Sequence, residues 1–161
     1  VLALFGGFIS VHVLGIFEPV MDLHRELFFF TPLIAAMAGN VGVQSSAIIV
    51  QGLANNTIIG PIVERLLKEL SLSLLNGIIL SVILLVGSYF LLGYEIHVGY
   101  TVSIALLSVI IMASLIGTFI PIILNKYGVD PALATGPFIT TSNDILGILT
   151  YFTIAKIILG I

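Results

Sequence analysis

The side chain with most chemistry to offer is Asp144, set within "PFITTSNDILGILTYF" (137–152) with apolar residues on its C-terminal side for more than a turn. Gly136, Thr140, Asp144 and Gly147 fall at i, i+4, i+8 and i+11, so on a helix they form one small, polar stripe amid bulky apolar neighbours. A carboxylate in the middle of a bilayer costs at least about 2.5–3.5 kcal/mol to insert, so such an acid is expected to face protein or a wet cavity. Pro137 has no N–H, and in an uninterrupted helix it would leave the carbonyl of Leu133 without its partner. A carboxylate, a hydroxyl and loosened carbonyls on one face are ligands for a hard cation. The competing reading is an acid held neutral between helices for packing alone.

A second stretch, "AAMAGNVGVQSSA" (35–47), is unusually small and polar for a buried span. Ala38, Gly42 and Ser46 recur every fourth residue and suit close helix packing, whereas Asn40, Gln44 and Ser45 offer hydrogen bonds beside a pore or in support of Asp144. His12, alone on the first apolar run, reads as a packing residue. The chain has no cysteine, which excludes disulfides and thiolate metal sites. No nucleophile and base share one depth, so enzymatic activity is not expected.

One Asp per chain is a poor site for a dication. A two-fold homodimer would bring two Asp144 carboxylates to one axis, and a cation between them would relieve their repulsion. Magnesium gives up its water reluctantly, so the carboxylates are expected about 4–5 Å from the metal, outside a first shell of water at about 2.1 Å.

These residues must be positioned by membrane-spanning helices. Of 161 residues 59% are hydrophobic and 8% charged, well outside the soluble range of about 45–50% apolar and about 25% charged. The apolar runs are too continuous for an outer-membrane barrel. The expected fold is all-α, a polytopic bundle of five transmembrane helices in one domain over 1–161, with spans at about 1–17, 27–54, 70–93, 98–124 and 132–160. Polar breaks at 18–26, 55–69, 93–97 and 125–131 separate them, and Asp130 with Pro131 reads as the N-cap and first position of the fifth helix. The segment "PIVERLLKEL" (61–70) has an apolar and a charged face, as a short interfacial helix or as the end of a longer span. Val1 already lies in an apolar run, without an initiator Met or a basic n-region, so the chain is expected to begin inside a longer protein.

Loops alternate sides of the membrane. Arg65, Lys68 and Lys126 share one face against Arg25 on the other, which places the former in the cytoplasm together with the N-terminal side of the chain. Glu18, Asp22, Glu26 and Glu95 then form an outer acidic rim. The partners expected are the bilayer, a second copy and a divalent cation, with no nucleic acid.

Two blocks in order, "FFFTPLIAAMAGNVGVQSSA" in the second span and "GVDPALATGPFITTSNDILGILTYF" around the fifth, resemble the transmembrane domain of the MgtE family of magnesium channels, and the likeness covers essentially the whole chain. That resemblance implies a homodimer with a pore on its two-fold axis, lined by the second and fifth helices. It implies a multi-pass protein of a prokaryotic inner membrane, with cytoplasmic regulatory domains outside this chain. The implied cargo is Mg2+, with Mn2+ and Co2+ as further candidates. Asp144 matches the selectivity-site acid, and Thr140 the position one turn earlier whose carbonyl faces the hydrated ion. Gly136 stands where some members carry Asn, so that side chain's contribution is lost here. A coupled magnesium exchanger and a non-transporting assembly or sensor subunit are the alternatives; no inverted repeat supports the former, and no basic residue at matching depth the latter.

Overall fold

The structure is a computed structural model that describes all residues but Ile59, Thr135 and Ile161, and the side chains of Leu2 and Ala134 are likewise not described. The described residues form helices α1 (Leu2–Ile16), α2 (Glu18–Leu23), α3 (Arg25–Ala54), α4 (Ile62–Phe90), α5 (Ile96–Lys126) and α6 (Pro137–Leu159), with a 3-10 turn at Pro131–Ala134. No strand occurs among them. In lipid every backbone group must be satisfied within its own segment, and a continuous helix does this without help.

Four of the helices, α3 to α6, are long and apolar enough to cross a membrane. The first of the five expected spans, α1, is a shorter apolar helix and is not among these four. Helix α1 has 15 residues, roughly 22 Å at about 1.5 Å each, and runs alongside α6, with Gly6 against Thr141 at one end and Phe17 stacked on Phe152 at the other. It ends at Phe17, after which Pro19 opens α2, so the break expected at 18–26 is itself partly helical. The third span begins earlier than hydropathy implies: Ile62–Phe90 is one helix, and 61–70 is its first turns rather than a separate interfacial segment.

The fifth span also differs. Asp130 does act as a cap, accepting a hydrogen bond from the Ala132 N–H at 2.9 Å, but it caps the 3-10 turn. Helix α6 starts only at Pro137. Leu133 belongs to the 3-10 turn and not to α6, so Pro137 does not break an α-helix in its interior; it stands in the first helical turn, where a missing N–H costs nothing.

Helix α5 is the hub, packed against α3, α4 and α6. Val102, Ala105, Val109 and Ala113 are fully buried along it. Helix α4 turns Ser73, Gly77, Ser81 and Ser88 inward and leaves Leu72, Leu75, Ile79 and Ile83 exposed, the polarity expected of a helix with one face in lipid. Its Ser81 hydroxyl donates to the Ser103 carbonyl of α5 at 2.8 Å. Toward the same end of the bundle, the Tyr151 hydroxyl donates to the Leu27 carbonyl at 2.9 Å and ties α6 to the start of α3, while Phe17 stacks on Phe152.

Candidate functional site

The start of α6 is set by Gly136, whose φ of +55° and ψ of −128° match the first central position of a type II′ turn. Only glycine adopts that geometry without steric cost. The Gly136 carbonyl then receives two bonds from Thr140, one from its N–H at 3.0 Å and one from its hydroxyl at 3.1 Å. Thr140 is thereby fixed in rotamer, with oxygen lone pairs left to accept from water.

One turn on, Asp144 is the eighth residue of α6, about 10 Å from its start at about 1.5 Å per residue. It is half-buried and has no hydrogen-bond or ion-pair partner among the described residues. Two grooves meet at it. One, of about 410 Å³, runs between α1 and α6 and includes Gly6, Ser10, Pro137 and Thr141. The other, of about 610 Å³, runs between α3 and α6 and includes Gly39, Asn40 and Gln44. Gly136, Thr140 and Asp144 line both. Close approach depends on glycines: a Cβ on Gly39 would lie 3.4 Å from both Asp144 Oδ1 and Thr140 Cγ2, and one on Gly6 would overlap the Thr141 side chain.

The fold thus brings Asp144, Thr140, Gly136, Pro137, Asn40 and Gln44 together. It does not bring Ser45 or Gly147 to the grooves. Ser45 is buried on another face of α3, where its hydroxyl donates to Glu69 Oε1 of α4 at 2.7 Å. Gly147 lets α6 approach Ala38, whose Cβ would be 2.9 Å from a Cβ placed there. Ala38 and Gly42 serve packing as expected, and His12 is exposed rather than packed.

Three features have no signal in the sequence that singles them out. Glu69 sits among charged residues that read as a loop face, yet its Oε1 accepts from Ser45 and from Ser114 of α5, joining three helices. Asn143 is fully buried next to Gly42, where an added Cβ would overlap its amide, and neither of its polar atoms has a partner among the described residues. Gly117 of α5 lies against the Gly42 backbone so closely that a Cβ there would overlap the Gly42 carbonyl.

The chemistry open to this arrangement is recognition of a hard cation. One carboxylate, a threonine oxygen and two amides converge, and no group of three His, Asp or Glu side chains able to strip a metal of water is present among the described residues. A family model for a divalent cation transporter, MgtE, matches residues 31–154, which include most of α3 and of α6 and Asp144 itself. The chain belongs to the MgtE family. It is 39% identical over 156 residues to the magnesium transporter MgtE of Bacillus subtilis strain 168, covering 96% of this chain and 34% of that protein. It is 32% identical over 160 residues to the magnesium transporter MgtE of Thermus thermophilus, covering 99% of this chain and 35% of the relative. For that of Enterococcus faecalis the identity is 35% over 156 residues, covering 95% and 34%. This family member therefore spans about a third of the length of the curated relatives it matches. Its helices make it a multi-pass membrane protein, and the family's described role is transport rather than catalysis.

Proposed function

We propose that this chain is the transmembrane domain of a magnesium transporter, and that two copies form a channel whose axis passes between their Asp144 carboxylates. The observation that carries this reading is the unpaired Asp144 carboxylate at the junction of two open grooves. An ionisable group inside a membrane bundle is expected to find a partner or a passing ion. Asn40 and Gln44, exposed on α3 in the same groove, likewise need water or a second protein surface, which a two-fold copy facing α3 and α6 would supply.

In this mechanism the ion keeps its first water shell. The two carboxylates sit about 4–5 Å from the metal, and Thr140 with the Gly136 region accepts hydrogen bonds from the shell. The site then reads hydrated size, which admits Mg2+ and the similar Mn2+ and Co2+ and disfavours the looser shell of Ca2+. The loops after α3 and α5, with Arg65, Lys68 and Lys126, face the cytoplasm, as does the start of α1.

Liposome flux tests the reading. Asp144→Asn keeps the side chain's size and deletes its charge, and is expected to abolish most Mg2+ uptake. Uptake by the Asn variant equal to wild type would sink the assignment. Uptake by the wild type that stops when an opposing Na+ gradient is removed would indicate a coupled exchanger instead of a channel.

A further inference from the structure

At the end of the bundle where α3 and α5 finish and α4 begins lies a cavity of about 400 Å³ unconnected with Asp144. Its polar wall carries Arg65, Lys68 and Lys126, and its apolar wall is built from Leu53, Ile62 and Ile122. Among the described residues one acid shares the lining, Glu64, whose Oε1 pairs with Lys68 Nζ at 2.9 Å. Glu69 lies on the same helix but turns inward to Ser45 and Ser114. Among the described residues, Arg65 and Lys126 have no carboxylate within ion-pair distance. The positive end of α4 also opens here, with no side chain capping it.

We propose that this cavity binds the headgroup phosphate of an anionic phospholipid. Setting membrane orientation requires basic residues in a loop but no pocket between helices. Here the cations are gathered around a recess at helix ends, where headgroups meet hydrocarbon, and basic pockets between transmembrane helices are known hosts for anionic headgroups. The phosphate sits between Arg65 and Lys126. Arg65 offers a fork of N–H donors to two of its oxygens, and Lys126 a point charge. The apolar wall decides the source of the phosphate. A free, fully hydrated anion gains nothing from Leu53, Ile62 and Ile122, whereas the glycerol and first acyl carbons of a lipid bury against them. The site is independent of the ion pathway, so it stands or falls separately from the transport reading.

The test is lipid retention by the intact chain. After extraction from nanodiscs containing phosphatidylcholine and phosphatidylglycerol, native mass spectrometry counts bound lipid. Wild type is expected to retain phosphatidylglycerol over phosphatidylcholine, and the Arg65→Gln/Lys126→Gln variant to lose about thirtyfold in that affinity, taking about 1 kcal/mol for each cation. Arg25→Gln, at the other end of the bundle, should retain lipid like wild type. Equal retention by the double variant and wild type would overturn the proposal. So would inorganic phosphate displacing the lipid at millimolar concentration, which would assign a free anion. A poly-glutamate peptide that binds without any preference for phosphatidylglycerol would assign the pocket to an acidic polypeptide. Should the double variant misfold, a photoactivatable phosphatidylglycerol on wild type gives the same decision: labelling within 57–68 and 122–126 supports the site, and labelling confined to other helices removes it.

Discussion

Asp144 and Glu69 are each the eighth residue of a membrane helix, α6 and α4, and both helices start from the same side of the bundle. Their fates are opposite. Glu69 Oε1 accepts two serine hydroxyls, from Ser45 on α3 and Ser114 on α5, and so clamps three helices. Asp144 meets Gly39, a residue with nothing to donate from its side chain, and keeps both oxygens free beside two grooves. What separates a structural acid from a candidate ion site is therefore not depth or residue type. It is whether the opposing helix places a hydroxyl or a hydrogen atom at the point of contact. A carboxylate satisfied by neutral donors holds helices in register, and one left without donors is available to a cation and its water.

The comparison breaks if the two acids respond alike to loss of charge. Asp144→Asn is expected to lower Mg2+ flux by about a hundredfold, corresponding to roughly 2.7 kcal/mol of lost ion stabilisation, while leaving the unfolding midpoint in a detergent titration unchanged. Glu69→Ala should do the reverse. It removes the shared acceptor of two hydroxyls, leaving Ser45 and Ser114 only their 3.3 Å contact with each other, and is expected to destabilise the fold by about 2 kcal/mol, with flux per folded transporter reduced far less. An Asp144→Asn protein that unfolds early, or a Glu69→Ala protein of full stability and no flux, would reverse the assignments.

Smaller changes sharpen the contrast. Gly39→Ala adds a Cβ 3.4 Å from Asp144 Oδ1 and Thr140 Cγ2, a contact that a few tenths of an ångström can relieve. The fold should persist, and flux should fall severalfold with a shift in the Mg2+ to Co2+ ratio as the groove narrows. An unaltered ratio would mean the α3 groove does not touch the ion. The smallest effect is expected for Ser45→Ala. Glu69 keeps Ser114, so the loss should be near the average of about 0.6 kcal/mol for a hydrogen bond between membrane helices, read from the same titration.

Much of this molecule is determined within short windows of the chain. The all-helical class follows from runs of apolar residues that lipid forces into helices. The stripe of Gly136, Thr140 and Asp144 is a matter of helical period, and so is the shared face of Asn40 and Gln44; all five lie together in the structure. Membership of the MgtE family follows from two local blocks.

Tertiary structure alone decided the rest, because it turns on which residues of separate helices meet. Ser45 and Gln44 are neighbours in sequence, yet one is buried against Glu69 and the other lines the groove, since successive positions on a helix point about 100° apart and only packing says which direction is the pore. The wedge of Asn143 against Gly42, with Gly117 behind it, joins positions up to 101 residues apart, and no local pattern encodes it. The start of α6 at Pro137 rather than Pro131 depended on a backbone state of Gly136 that composition does not reveal. Hydropathy counts apolar residues but not the turn at which a helix starts, so the early start of α4 became visible only in the folded chain.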